Sequence, residues 1–191
     1  VVADAAMISS ENITHLNQNE INYIVGARLG NLSIKLLGTI DEQIVRQDGK
    51  SIRIKTELGY LICSYSSVRY RKDLYEMNKQ IEKAKQVIQV PSKSKKLKFT
   101  KTNDQKLELN DELIEKTKKL LGIKGYYTNL EENMADNRTI IERYHELYKI
   151  EQAFRVSKSD LQTRPIFHFK EQPIKLHILI CFMALVISKH I

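Results

Sequence analysis

Residues 1–29 read VVADAAMISSENITHLNQNEINYIVGARL, and their reading decides the fold class. Val1 to Ile8 is a short apolar run with β-branched valine at its head, the texture of a buried strand. Ser9 or Ser10 follows as a candidate N-cap for a helix running to about Gln18, its hydroxyl accepting a hydrogen bond from an otherwise orphaned N–H. Ile21 to Leu29 is apolar again and predicts a second strand. Strand, helix and strand in this order form a β–α–β unit, whose strands lie parallel in a sheet covered by helices. Asp4 then falls at the carboxyl end of the first strand, where open α/β sheets gather their ligands.

Past about Asn31 the texture changes. The segments SIRIKTE and YLICSYS alternate or carry β-branched residues, with Leu58 and Gly59 between them as a tight turn, which predicts an antiparallel hairpin. Leu74, Met77, Ile81, Ala84 and Ile88 recur at helical spacing from Arg71 to Gln89, with Pro91 as the stop. Pro91 to Lys106 carries six lysines against one aspartate and is either a solvated loop or a contact for a phosphate backbone. A helix from about Asp111 to Leu120, a strand at GYYTN, and a long helix from the cap Asp136 or Asn137 to about Leu161 follow, and Pro165 closes that helix. IFHF reads as a short strand. The last apolar run, LHILICFMALVI from Leu176 to Ile187, would rise roughly 18 Å as a helix against the roughly 30 Å of a hydrocarbon core, so it is expected to be a buried core helix.

Composition narrows the classes further. With 42% hydrophobic and 28% charged residues, the 191-residue chain can bury a core and is unlike a disordered tail. A net charge of +8 and a pI near 9.3 favour an anionic partner, nucleic acid before a membrane surface. Two widely separated cysteines fit a reducing compartment, and no secretory signal opens the sequence. GxGxxG, P-loop and GxSxG motifs are missing, which weakens nucleotide-cradling and serine-hydrolase readings. The tyrosines of SVRYRKD, interleaved with Arg69, Arg71 and Lys72, fit a strand-to-helix junction better than base stacking. Both ends break off inside apolar elements, so the chain reads as part of a longer protein.

The stretch YHELYKIEQAFRVSK, Tyr144 to Lys158, carries the most chemistry. Seven residues turn an α-helix through about 700°, so Tyr144, Glu151 and Lys158 drift only about 20° per step from one line. Ile140, Ile141, Leu147, Ile150, Phe154 and Leu161 flank that line, which places Glu151 at the edge of a core, where a carboxylate needs a cation or a metal. Glu151 either pairs with Arg155 or Lys158, or it acts with Asp4: two-metal phosphodiester cleavage needs carboxylates converging on ions roughly 3.5–4 Å apart. Lys158 then serves as a point charge for a DNA backbone.

VVADAAMIS, GYYTN and above all YHELYKIEQAFRVSKSDLQTRPIFH resemble DDE transposases of bacterial insertion sequences, in the group whose catalytic glutamate lies in a Y-x2-R-x3-E-x6-K signature. Tyr144, Glu151 and Lys158 fit that spacing, and Arg164 and Pro165 follow as in one branch. The resemblance covers nearly the whole chain. It implies an α/β protein with a partial RNase H-like catalytic core and a mostly β insertion between the second and third catalytic carboxylates. By the same resemblance Asp4 is the second carboxylate and Glu151 the third, both ligands to two Mg²⁺ or Mn²⁺ ions in the intact protein. Tyr144 and Lys158 are expected to contact DNA near the cleaved end. The signature arginine falls on Leu147, so its phosphate contact is either absent or supplied by a neighbour such as Arg143 or Arg155.

On this reading residues 1–30 and 126–191 form the core, and 31–125 the insertion, β-rich with one helix and a basic loop. The first catalytic aspartate is expected upstream of Val1, leaving the chain little or no activity alone. The implied partners are transposon-end and target DNA, with a homodimer as an option in the intact protein. The implied setting is cytoplasmic and nucleoid-associated, with no stable membrane association. Two other readings stay open: a noncatalytic DNA-binding remnant, and a peripheral membrane protein held by its last helix.

Overall fold

A computed structural model describes residues 1–6, 9–89, 97–103 and 106–190, so half of the basic stretch Pro91 to Lys106, with its Pro91 stop, lies outside the described residues. The chain divides into two compact units, 1–141 and 142–191.

In the first unit, β1 (Val2–Ala3) leads to α1 (Ser10–Gln18) and then to β2 (Ile24–Ala27). Ser9 caps α1, its hydroxyl accepting from the Asn12 N–H at 3.1 Å. β1 and β2 pair in parallel, Val2 opposite Ile24, as the β–α–β reading predicts. Next come α2 (Ile34–Gln43), the hairpin of β3 (Ser51–Thr56) and β4 (Gly59–Tyr65), and α3 (Ser67–Gln89). A two-stranded ribbon of β5 (Thr100–Asn103) and β6 (Lys106–Leu109) precedes α4 (Asp111–Lys119), β7 (Ile123–Thr128) and α5 (Asn137–His145), whose last four residues belong to the second unit.

The main sheet runs β1-β2-β7-β4-β3. β7 lies between β2 and β4 and is antiparallel to both, so Tyr126 stands opposite Gly26 on one side and Ile62 on the other. Strands from the expected core and the expected insertion therefore share one sheet. Its core gathers Tyr23, Val25, Ile40, Leu61, Cys63 and Tyr127, and a second cluster packs α3 residues Met77 and Ala84 against Phe99, Ile114 and Leu121. Burial pushes the Cys63 thiol up to about 12, which leaves it a packing group without thiolate reactivity.

The region 31–125 holds three α-helices among the described residues: α3 and α4, which the sequence predicts, and α2, which it does not. Gly38 and the β-branched Ile34, Thr39 and Ile40 lower the helix propensity of α2, yet Leu37 and Ile40, three apart, bury one face and hold the helix.

Arg53 ties β3 to the loop that follows β7. Its guanidinium donates to Asn137 Oδ1 at 2.9 Å, to the Leu130 carbonyl at 2.9 Å and to the Ala135 carbonyl at 2.6 Å, and it lies 5.4 Å from the Tyr60 ring centroid. A fork of fixed donors makes these three bonds at once, and a single ammonium does not. Arg53→Ala is expected to destabilise the chain by about 3 kcal/mol, through loss of charge-assisted bonds that leaves part-buried carbonyls unmatched. Arg53→Lys should recover less than half of that in urea unfolding.

The second unit pairs α6 (Leu147–Ser159) with α7 (Glu171–His190). The single long helix read from the sequence is thus two. At Glu146, between them, the N–H is shared by the carbonyls of Glu142 at 3.2 Å and Arg143 at 3.3 Å. This tightened turn interrupts the regular ladder. IFHF forms no strand: Ile166 to Phe169 have no pairing partner among the described residues, and Phe169 is 99% exposed.

The expectation of a buried last helix is also corrected. In α7 the apolar side chains Leu179, Ile180, Phe182 and Met183 are exposed, while Cys181 is buried, its Sγ donating to the Leu161 carbonyl at 3.7 Å. Glu171–Lys189 is long and apolar enough to cross a membrane by length and composition. Reading only twelve residues of it understated the helix, because Pro173 sits in the first turn, where no intrahelical donor is lost.

Candidate active site

Asp4 follows the last residue of β1, on an exposed turn where its Oδ1 accepts from the Ala6 N–H at 2.8 Å. This i to i+2 bond is an Asx turn; it orients the carboxylate and leaves its second oxygen open. No ion pair engages Asp4 among the described residues.

In the second unit, Glu151, Arg155 and Lys158 sit on α6 at i, i+4 and i+7, which places them on one helix face. All three are exposed, as is Arg143 in the last turn of α5, whereas Tyr144 is half-buried. The expectation of Glu151 at a core edge is therefore corrected. Ile150 and Phe154 beside it are 53% and 60% exposed, because apolar spacing marks a face that a partner can cover, and α7 covers only one flank.

The pairing of Glu151 with Arg155 or Lys158 does not form. Lys158 lies over the Phe154 ring, 6.0 Å from its centroid, and Glu151 has no cation within ion-pair distance among the described residues. Glu146, one turn earlier, shows the contrast: it takes a hydrogen bond from Lys149 at 3.1 Å, and that bond raises the lysine above its ordinary value. Leu147 stands half-buried at the signature arginine position. Asp4 belongs to the unit 1–141 and the α6 residues to 142–191.

Both carboxylates are hard oxygen donors free of a permanent cation, a donor set that suits Mg²⁺ or Mn²⁺. No group of three or more His, Cys, Asp or Glu able to hold an ion occurs among the described residues. Each carboxylate has the chemistry of a ligand by itself, and no preassembled set of three is present among the described residues. The sequence expectations do not include a second cationic face, Lys72, Lys79 and Lys83 on α3; their spacing of seven and four residues is the signal that marks it.

A family model described as the transposase DDE domain matches residues 1–187. No curated protein and no solved structure matches the chain.

Proposed function

The chain belongs to the transposase DDE domain family, and on that premise we propose that it supplies catalytic residues for cleaving and joining DNA strands at the ends of a bacterial insertion sequence. Membership implies an RNase H-like core, a transposase-type function, DNA as partner and divalent metal ions as the usual cofactor. The finer reading places the chain in the group marked by Tyr144, Glu151 and Lys158. Residues 1–30 and 126–191 form its core in this reading, and 31–125 its insertion.

Asp4 is the second carboxylate and Glu151 the third. The observation that carries this assignment is the exposed, cation-free Glu151 on one helix face with Arg155 and Lys158. Bound divalent ions would supply Lewis-acid stabilisation of the attacking and leaving oxygens. The chain's own part is to present carboxylate oxygens to those ions and cations to the phosphates: Lys158 as a point charge, Arg143 and Arg155 as forks replacing the signature arginine, and Tyr144 beside the DNA end. Two carboxylates by themselves hold divalent ions weakly, so the affinity expected of Asp4 and Glu151 is low. In this reading it acts in the cytoplasm on nucleoid DNA without stable membrane association, a homodimer being an option in the intact protein.

Mn²⁺ titration followed by electron paramagnetic resonance tests the assignment. Wild-type chain should bind Mn²⁺ weakly and Asp4→Asn should lose that binding. The Asp4→Asn/Glu151→Gln double variant should lose no more than either single one, because residues sharing a ligand are not additive. Unchanged Mn²⁺ binding in both single variants would overturn the assignment and leave a noncatalytic DNA-binding domain.

A further inference from the structure

α3 is a 23-residue helix, roughly 35 Å long, with two different faces. One face carries Leu74, Met77, Ile81 and Ala84 and packs on Phe99, Ile114 and Leu121. At 100° per residue, Lys79 lies about −20° and Lys83 about +20° from Lys72, on the side opposite that apolar stripe. All three lysines are exposed.

The other cations of α3 are engaged. Arg69 pairs with Asp73 at 3.3 Å, Lys85 with Glu82 at 2.8 Å, and Arg71 acts on Asp48 at the start of the helix. Lys72 and Lys83 have no ion pair among the described residues. Lys79 rests 5.8 Å from the ring centroid of Tyr75, which is itself 65% exposed. The ring thus holds an ammonium outward without neutralising it. Glu76, about 40° off the line, is the acidic residue nearest the stripe, and it pairs with none of the three.

We propose that the outer face of α3, through Lys72, Lys79 and Lys83, is a binding surface for the phosphate backbone of duplex DNA. The ammonium-bearing positions rise about 10 Å and then 6 Å along the helix. Steps of that size match contacts to separate phosphates, and the buried stripe on the opposite face fixes the helix against the second core cluster. Flexible, unpaired ammonium groups on a rigid rod neutralise phosphates without reading sequence. This surface serves any stretch of duplex, element end or target alike. The inference rests on the DNA-transposase reading for its partner and on α3 alone for its position.

Salt-dependent binding of the chain to a short random-sequence duplex decides the matter. Each phosphate neutralised adds about 0.9 to the slope of log K against log salt, so Lys72→Gln/Lys79→Gln/Lys83→Gln should flatten the slope by roughly 2.7. A control that removes the same charge from exposed lysines elsewhere in the unit, Lys35→Gln/Lys50→Gln/Lys55→Gln, should leave the slope near that of wild type. Both variants should melt with wild type, since none of these lysines packs in the core. Equal slopes for the two triple variants would overturn the surface while leaving the DNA reading intact. Failure of the wild-type chain to bind any duplex would overturn both.

Discussion

Glu151→Gln should abolish metal-dependent strand cleavage and leave the melting temperature where it was. The two halves of that result have separate physical origins. Glu151 is exposed and without an ion-pair partner, so removing its charge breaks no stabilising contact, and surface substitutions of this kind barely move stability. Its role in chemistry depends on that same freedom: a carboxylate already satisfied by lysine would have to give up its partner before accepting an ion. Residues that only orient a metal's ligands cost about 10- to 100-fold when replaced, so loss of a ligand itself should cost at least about 100-fold. Assayed on element-end DNA in an enzyme that carries all three carboxylates, Glu151→Gln should fall below that level with Mg²⁺ and gain little from Mn²⁺. Retained cleavage would remove Glu151 from the catalytic set.

Gly59→Val should fail to give a stably folded protein. Gly59 opens β4 with φ +93°, a backbone conformation that β-branched residues scarcely adopt, and a Cβ there would run into the Thr128 carbonyl and come within 3.2 Å of the Tyr23 hydroxyl. Neither neighbour is free to move. Tyr23 is 1% exposed and donates to the Leu58 carbonyl at 2.6 Å, while Thr128, fully buried in β7, donates from its hydroxyl to the Tyr23 carbonyl at 2.6 Å. The clash therefore strikes the point where β2, β7 and β4 are joined. Strain and displacement together should cost about 4 kcal/mol or more, a large part of the roughly 5–15 kcal/mol that keeps a domain folded. Gly49, also at positive φ but with open space around it, supplies the control. Gly49→Ala carries only the backbone penalty, about 1–2 kcal/mol, in the same urea titration.

What the sequence made legible was local. The β1–α1–β2 unit, the Ser9 cap, the hairpin at Gly59 and α3 each announce themselves within a few dozen residues, through apolar spacing or a residue with one backbone preference. The Tyr144, Glu151 and Lys158 spacing is a linear pattern of the same kind. The position of β7 is not. Pairing Tyr126 with both Gly26 and Ile62 selects among distant strands by side-chain fit, and nothing in GYYTN names those partners. The break at Glu146 also escaped, because glutamate is a good helix former and the tightening arises from shared backbone bonds. The exposure of α6 and α7 escaped for another reason: an apolar stripe records what a surface tolerates, and the packing partner decides what is covered.

The strand in the middle of the main sheet is also among the last of its members to be made. During synthesis β2 is complete at Ala27, yet its inner neighbour ends only at Thr128. At ribosomal speeds of roughly 5–20 residues per second, that edge waits on the order of 5–20 s for its mate. The hairpin of β3 and β4 meanwhile stands ready with an open edge of its own. Folding of this protein is therefore gated by elongation, and a chaperone or a translational pause has its greatest influence in the interval before residue 123 leaves the exit tunnel.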